Sequence, residues 1–90
     1  MFSLVYTKRF KREFKYYQNN SKLLVELGKV LDILMLGKTL PEKYCNHKLI
    51  GEFKSCCECH IEPDVLLIYK IDKKEISILL LRIGSHSDLF

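Results

Sequence analysis

Val65-Leu66-Leu67-Ile68-Tyr69-Lys70-Ile71-Asp72-Lys73-Lys74-Glu75-Ile76-Ser77-Ile78-Leu79-Leu80-Leu81-Arg82-Ile83 is the stretch that decides the architecture. Residues 65–71 and 75–83 are apolar runs rich in strand-forming side chains, and Asp72-Lys73-Lys74 between them makes a polar turn, so the stretch reads as two antiparallel strands. Both faces of each run are apolar, as in central strands that are covered on both sides or partly closed on themselves. Upstream, residues 52–60 read as a third strand.

Toward the N-terminus, residues 3–6 make a short apolar opening. Phe10, Phe14 and Tyr17 then recur at i, i+4 and i+7, with Lys8, Arg9, Lys11, Arg12 and Lys15 on the other faces, the pattern of an amphipathic basic helix. Gln18-Asn19-Asn20 interrupts it. Ser21 is the expected N-cap of a second helix, whose Leu24, Leu27, Leu31 and Leu34 keep helical spacing until Gly37 supplies a left-handed end. Residues 38–51 lack periodicity and include Pro41, Asn46 and Gly51, which predicts a long connecting loop of the kind that often carries function. The order strand, helix, helix, three strands predicts one α+β domain over residues 1–90, with the N-terminal strand and helical hairpin packed on a mainly antiparallel β-sheet.

The net charge of +4 is uneven: residues 1–54 carry 11 Lys/Arg against 5 Asp/Glu, and residues 55–90 carry 4 against 6. The basic half is the expected polyanion-facing surface. No apolar run approaches the roughly 18 residues of a membrane span, and Lys8 and Arg9 follow the apolar opening, the reverse of a signal peptide. A cytoplasmic protein without membrane contact is expected, with Cys45, Cys56, Cys57 and Cys59 as reduced thiols.

The chemistry-bearing residues sit at element edges: His47 in the loop, His60 at a strand end, Asp64 four residues later and His86 just past the last strand. Pairing across the 72–74 turn sets the start of one central strand beside the end of the other, which brings His60 and Asp64 near Arg82 and His86. Imidazoles, a carboxylate and a cation are what RNA transesterification needs: a base for the 2′-hydroxyl, a charge for the phosphorane and an acid for the 5′-oxygen. Zinc is set aside, because in a strand Cys57 and Cys59 face one way while Cys56 and His60 face the other, and no glycine makes a knuckle. His60-Ile61-Glu62 matches H-x-E of zinc deaminases, but no P-C-x-x-C follows, and Glu62 reads as a solvated turn residue before Pro63.

Cys59-His60-Ile61-Glu62-Pro63-Asp64-Val65-Leu66-Leu67-Ile68-Tyr69-Lys70, Asn46-His47-Lys48-Leu49-Ile50-Gly51 and Arg82-Ile83-Gly84-Ser85-His86-Ser87-Asp88-Leu89-Phe90 together resemble the YafQ branch of RelE-type toxins, over nearly the whole chain. The resemblance implies a microbial RNase-like RelE fold and a toxin of a type II toxin–antitoxin system. It implies an mRNA interferase that cleaves mRNA without metal or other cofactor, usually in the ribosomal A site, and a cognate antitoxin as partner. By position, His47, His60, Asp64 and His86 match the family's catalytic residues, Phe90 a substrate-stacking residue and Arg82 a phosphate-stabilising one. Cys56-Cys57 stands where relatives commonly have an aromatic-Arg pair, and Val65 replaces an aromatic. Lys54 is the candidate to compensate for the missing arginine. The rival reading is a ParE-like or degenerate toxin that acts by protein binding alone, since fold does not fix function.

Overall fold

The computed structural model describes residues 1–49, 51 and 55–90. Their elements run β1 (Ser3–Tyr6), α1 (Lys8–Phe14), α2 (Ser21–Met35), β2 (His47–Lys48), β3 (Cys57–Glu62), β4 (Val65–Asp72), β5 (Ser77–Gly84) and α3 (His86–Leu89), with 3-10 turns at Lys15–Tyr17 and Glu42–Tyr44. The sheet order is β1-β5-β4-β3-β2, antiparallel except for β1, which runs parallel to β5. The α+β architecture is the one expected.

The deciding stretch forms β4 and β5, the central pair. β4 is buried without a break from Val65 to Tyr69 because its two faces pack against different things. Val65, Leu67 and Tyr69 join the main core with Phe10 of α1 and Leu23, Leu27, Val30 and Leu34 of α2. Leu66 and Ile68 join a smaller cluster with Cys56 and Leu89. In β5 the pairing steps from Tyr69–Leu80 to Ile68–Arg82, which leaves Leu81 as a bulge. Such an extra residue re-aims the side chains beyond it. Leu80 and Ile83 therefore both face the helices, while Arg82, paired with Ile68, belongs to the open face.

Local signals explain the helix ends. Thr7 caps α1, its Oγ1 accepting from the Phe10 N–H at 3.1 Å. The cap of α2 is Asn20, one residue before the expected Ser21, with Oδ1 accepting from the Leu23 N–H at 3.1 Å. The buried stripe is Leu23, Leu27, Val30 and Leu34, not the series through Leu24 and Leu31. Both series have helical spacing and share Leu27 and Leu34, so only contact with the sheet decides between them. Gly37, at φ +70°, ends the helix as expected: its N–H donates to Leu34 O at 3.0 Å and the Lys38 N–H donates to Ile33 O at 3.2 Å.

Three expectations need correction. The third strand is Cys57–Glu62 rather than 52–60; Ser55 has φ +74°, incompatible with a strand, and residues 52–54 lie outside the described residues. Glu62 consequently belongs to the strand, and the turn contains only Pro63 and Asp64. Residues 38–51 are not one irregular loop, since they include a 3-10 turn and β2, elements too short to show a period. The segment after the last strand forms α3, capped by Ser85, whose Oγ accepts from the Asp88 N–H at 3.2 Å. No described helix is long and apolar enough to cross a membrane.

Candidate active site

Register assembles the site. His47 pairs with Glu58, Glu58 with Ile68 and Ile68 with Arg82; one row on, His60 pairs with Leu66 and Leu66 with Gly84. Partners across a sheet, and residues two apart along a strand, project from the same face. His47, Glu58, His60 and Arg82 therefore share the face that α1 and α2 leave open.

Glu58 is the centre of this face. It is only 4% exposed, and its Oε1 lies 3.6 Å from Nε2 of His47 and 3.5 Å from Nε2 of His60. Both imidazoles keep solvent access, the side chains being 53% and 32% exposed. When protonated, either imidazole stands at ion-pair distance from the shared carboxylate. His47 Nδ1 sits 2.9 Å from the Cys45 carbonyl. A carbonyl only accepts, so Nδ1 donates there, and Nε2 is the nitrogen left for proton transfer.

The segment that carries His47 is pinned by two buried phenols. Tyr69 donates to Asn46 Oδ1, and Tyr44 donates to Glu26 Oε2 at 2.7 Å. Burial pushes the Tyr69 phenol above its ordinary range. Burial, reinforced by Glu26, pushes Tyr44 up to about 12. The Tyr44 hydroxyl in turn holds Glu26 below the usual carboxylate range, with Lys43 and Lys29 assisting. Cys45 occupies the left-handed region at φ +48°, where the chain turns from the 3-10 segment toward β2.

His86 and Phe90 ride on α3 with their rings 5.2 Å apart and tilted by 38°. Leu89 anchors this short helix in the open-face cluster. A Cβ at Gly84 would meet Leu89 Cδ2 at 3.2 Å, so glycine is what lets α3 press so closely on β5. The ring of His86 is exposed, as its position predicts.

The remaining expected site residues are arranged differently. Asp64 is exposed in the Pro63-Asp64 turn and, among the described residues, hydrogen-bonds to no histidine. Arg82 is in the row but engaged: Nη2 and Nε reach Glu13 Oε2 at 2.6 and 3.2 Å. Lys54 lies outside the described residues. Sequence reasoning missed Glu58 and Glu13, although both left a signal. Glu58 is two residues from His60 and hence on its face, and Glu13 is the lone acid of a basic helix.

The four cysteines are free thiols. Cys57 and Cys59 face the helices and Cys56 the opposite cluster, as strand alternation requires. Burial pushes the Cys59 thiol up to about 12. Beside His60 opens a groove of about 410 Å³ lined by Lys22, Lys43 and Tyr44 among others.

Comparison with known proteins places this geometry. The crystal structure of a metal-bound toxin from Helicobacter pylori superposes with a TM-score of 0.91 at 40% identity, covering 100% of both chains. YafQ in the Escherichia coli DinJ–YafQ complex superposes with a TM-score of 0.86 at 30% identity, covering 100% of this chain and 99% of that one. The mRNA interferase toxin YafQ of E. coli K12 is 34% identical over 87 residues, 94% of this chain and 91% of its own length. As for a metal, no group of three or more His, Cys, Asp or Glu side chains among the described residues is arranged to hold one. The family model for the bacterial toxin YafQ of type II toxin–antitoxin systems matches residues 2–90, and the chain belongs to that family.

Proposed function

We propose that this chain is a cytoplasmic mRNA interferase: an endoribonuclease that cleaves messenger RNA in the ribosomal A site by metal-independent acid–base transesterification, held in check by a cognate antitoxin. The observation that carries this reading is the convergence of two solvent-accessible imidazoles, His47 and His60, on one buried carboxylate of an open sheet face. The name of the E. coli relative and its complex with DinJ support the substrate class and the partner.

RNA carries its own nucleophile, so the protein needs to move protons and stabilise charge rather than activate water. A base takes the 2′-hydroxyl proton, the O2′–P bond forms, the P–O5′ bond breaks and an acid returns a proton to O5′, leaving a cyclic phosphate and a 5′-hydroxyl. His86 serves as one of this pair and His60 as the other. Glu58 orients His60 and His47, and His47 carries protons or contacts phosphate from the β2 side. Asp64, at the tip of the β3–β4 hairpin, meets the substrate. Arg82 stabilises the phosphorane, and Phe90 stacks on a base, a contact of roughly 1–3 kcal/mol in single-strand recognition. Lys22 and Lys43 beside His60 suit flanking phosphates, and the basic residues of α1 suit ribosomal RNA or an acidic antitoxin.

The test is a map of new 5′ ends after brief expression, paired with cleavage by purified protein in chelator. Cuts inside translated frames, with chelator-insensitive cleavage in vitro, support the proposal. Growth arrest without new 5′ ends would favour a toxin that only binds protein, and loss of cleavage in chelator would overturn metal independence.

A further inference from the structure

Glu13 is the single acid among the first 25 residues, in a helix that otherwise presents Lys8, Arg9, Lys11 and Arg12 and is followed by Lys15. It does not pair with any of these. α1 is instead fastened to β5 at both ends. At its start, Thr7 Oγ1 donates to the Leu80 carbonyl at 2.8 Å. At its end, Glu13 accepts from Arg82 Nη2 at 2.6 Å and Nε at 3.2 Å, while its Oε1 accepts from the Ile83 backbone N–H at 3.3 Å. β1 stops at Tyr6, opposite Leu80, so β5 beyond that point has a bare edge, and the Glu13 carboxylate takes the place of the missing strand. The side chains are 13% and 20% exposed, so this is a semi-buried, two-bond grip rather than a surface ion pair.

A guanidinium has five N–H donors in a rigid fork. Glu13 engages Nε–H and one hydrogen of Nη2, which leaves both hydrogens of Nη1 and the second of Nη2 on the opposite edge. The Leu81 bulge sets Arg82 on the open face, in the row of Ile68, Glu58 and His47. We propose that Glu13 is a positioning residue that holds the Arg82 guanidinium by its Nε edge so that the opposite edge meets the phosphate undergoing transesterification. The proposal rests on the reading of Arg82 as the phosphorane-stabilising cation. Its physical basis is preorganisation: a cation already fixed where charge develops needs no reorganisation during reaction.

The experiment is a double-mutant cycle of Glu13→Gln and Arg82→Ala, read as single-turnover cleavage, kcat and KM, with the unfolding midpoint of each protein alongside. Glu13→Gln keeps an oxygen to cap the Ile83 N–H but loses the charged grip. Arg82→Ala is expected to slow cleavage roughly 10²–10³-fold, the usual cost of removing one preorganised donor. Glu13→Gln is expected to lower kcat with KM little changed, and to add nothing in the Arg82→Ala background. Arg82→Lys, which cannot make the side-on grip, should be slow and equally insensitive to Glu13→Gln, and this pair keeps the test valid if Arg82→Ala fails to fold. Effects that multiply in either background, or a Glu13→Gln protein as fast as or faster than the parent, would overturn the proposal alone. A parental rate in Arg82→Ala would instead overturn the reading of Arg82, and with it this one.

Discussion

The helix-covered and open faces of the sheet are cut from the same three strands yet follow different rules. On the covered face Leu67, Tyr69, Ile78, Leu80 and Ile83 lock against α1 and α2 with exposures of 1% or less. On the open face the apolar cluster shrinks to Cys56, Leu66, Ile68 and Leu89, and a buried carboxylate lies beside it, faced by two solvent-accessible imidazoles. Burying a charge is costly unless it is partnered, whereas burying an aliphatic side chain is favourable. The covered face is therefore the source of stability, and the open face gives up part of it to hold a carboxylate between two imidazoles.

If that division holds, the largest effect on chemistry comes from an open-face residue that carries no packing. His86→Ala should lose cleavage by roughly 10²–10⁴-fold, the usual worth of a proton-transfer group, with the unfolding midpoint and antitoxin affinity at parental values. A mutant that cuts at the parental rate sinks the assignment, and one that unfolds moves His86 into the scaffold. The mirror experiment is Leu67→Ala on the covered face: a loss of about 2–5 kcal/mol in denaturant unfolding, with activity per folded molecule unchanged.

Glu58 sharpens the contrast because it is buried yet faces two solvent-accessible imidazoles. Glu58→Gln removes the negative charge that lies 3.6 and 3.5 Å from the two imidazoles, so cleavage should slow, by less than the roughly 10²–10⁴-fold of a lost proton-transfer group. An amide is cheaper to bury than a carboxylate, so stability should not fall. A stable rate with lost stability would make Glu58 a structural residue.

Alkali should act through the covered face. Cys59 has its thiol raised by burial from 9.0 to about 12. The unfolded chain then deprotonates first, so the stabilisation is complete below about pH 9 and is lost as pH rises toward 12, at up to about 1.4 kcal/mol per pH unit. Unfolding curves between these limits should be shallower in pH for Cys59→Ala; an unchanged slope would remove the thiol from the account. The smallest effect expected is that of Asn20→Ala, about 1 kcal/mol for a lost N-cap, seen in thermal unfolding and absent from cleavage rates.

The central hairpin was legible because two long apolar runs around a polar turn admit no other reading, and Gly37 marked its helix end because few residues accept a positive φ. The open-face arrangement was less so. Strand alternation on β3 puts Glu58 on the face of His60, a signal that was overlooked, and nothing local showed that β2 would form and bring His47 to the same carboxylate, since a two-residue strand exists only through its partner. Arg82 was found as a cation, but its bond to Glu13 depends on a bulge and on α1 crossing the end of β5, both products of tertiary packing. Asp64 was expected among the histidines by distance from the turn, and the tight Pro63-Asp64 corner leaves it at the tip.

The parallel pairing of β1 with β5 also bears on when a growing chain becomes active. Thr7 and Leu80 are bonded across 73 positions, so β1 has no edge to join until β5 has been made. Closing so long a loop is slow relative to local structure, though its cost grows only logarithmically with length. His86 and Phe90 follow β5 in the chain. A chain that stops before β5 is complete thus has neither the finished scaffold nor His86, and the proposed cleavage site is assembled only once both are present.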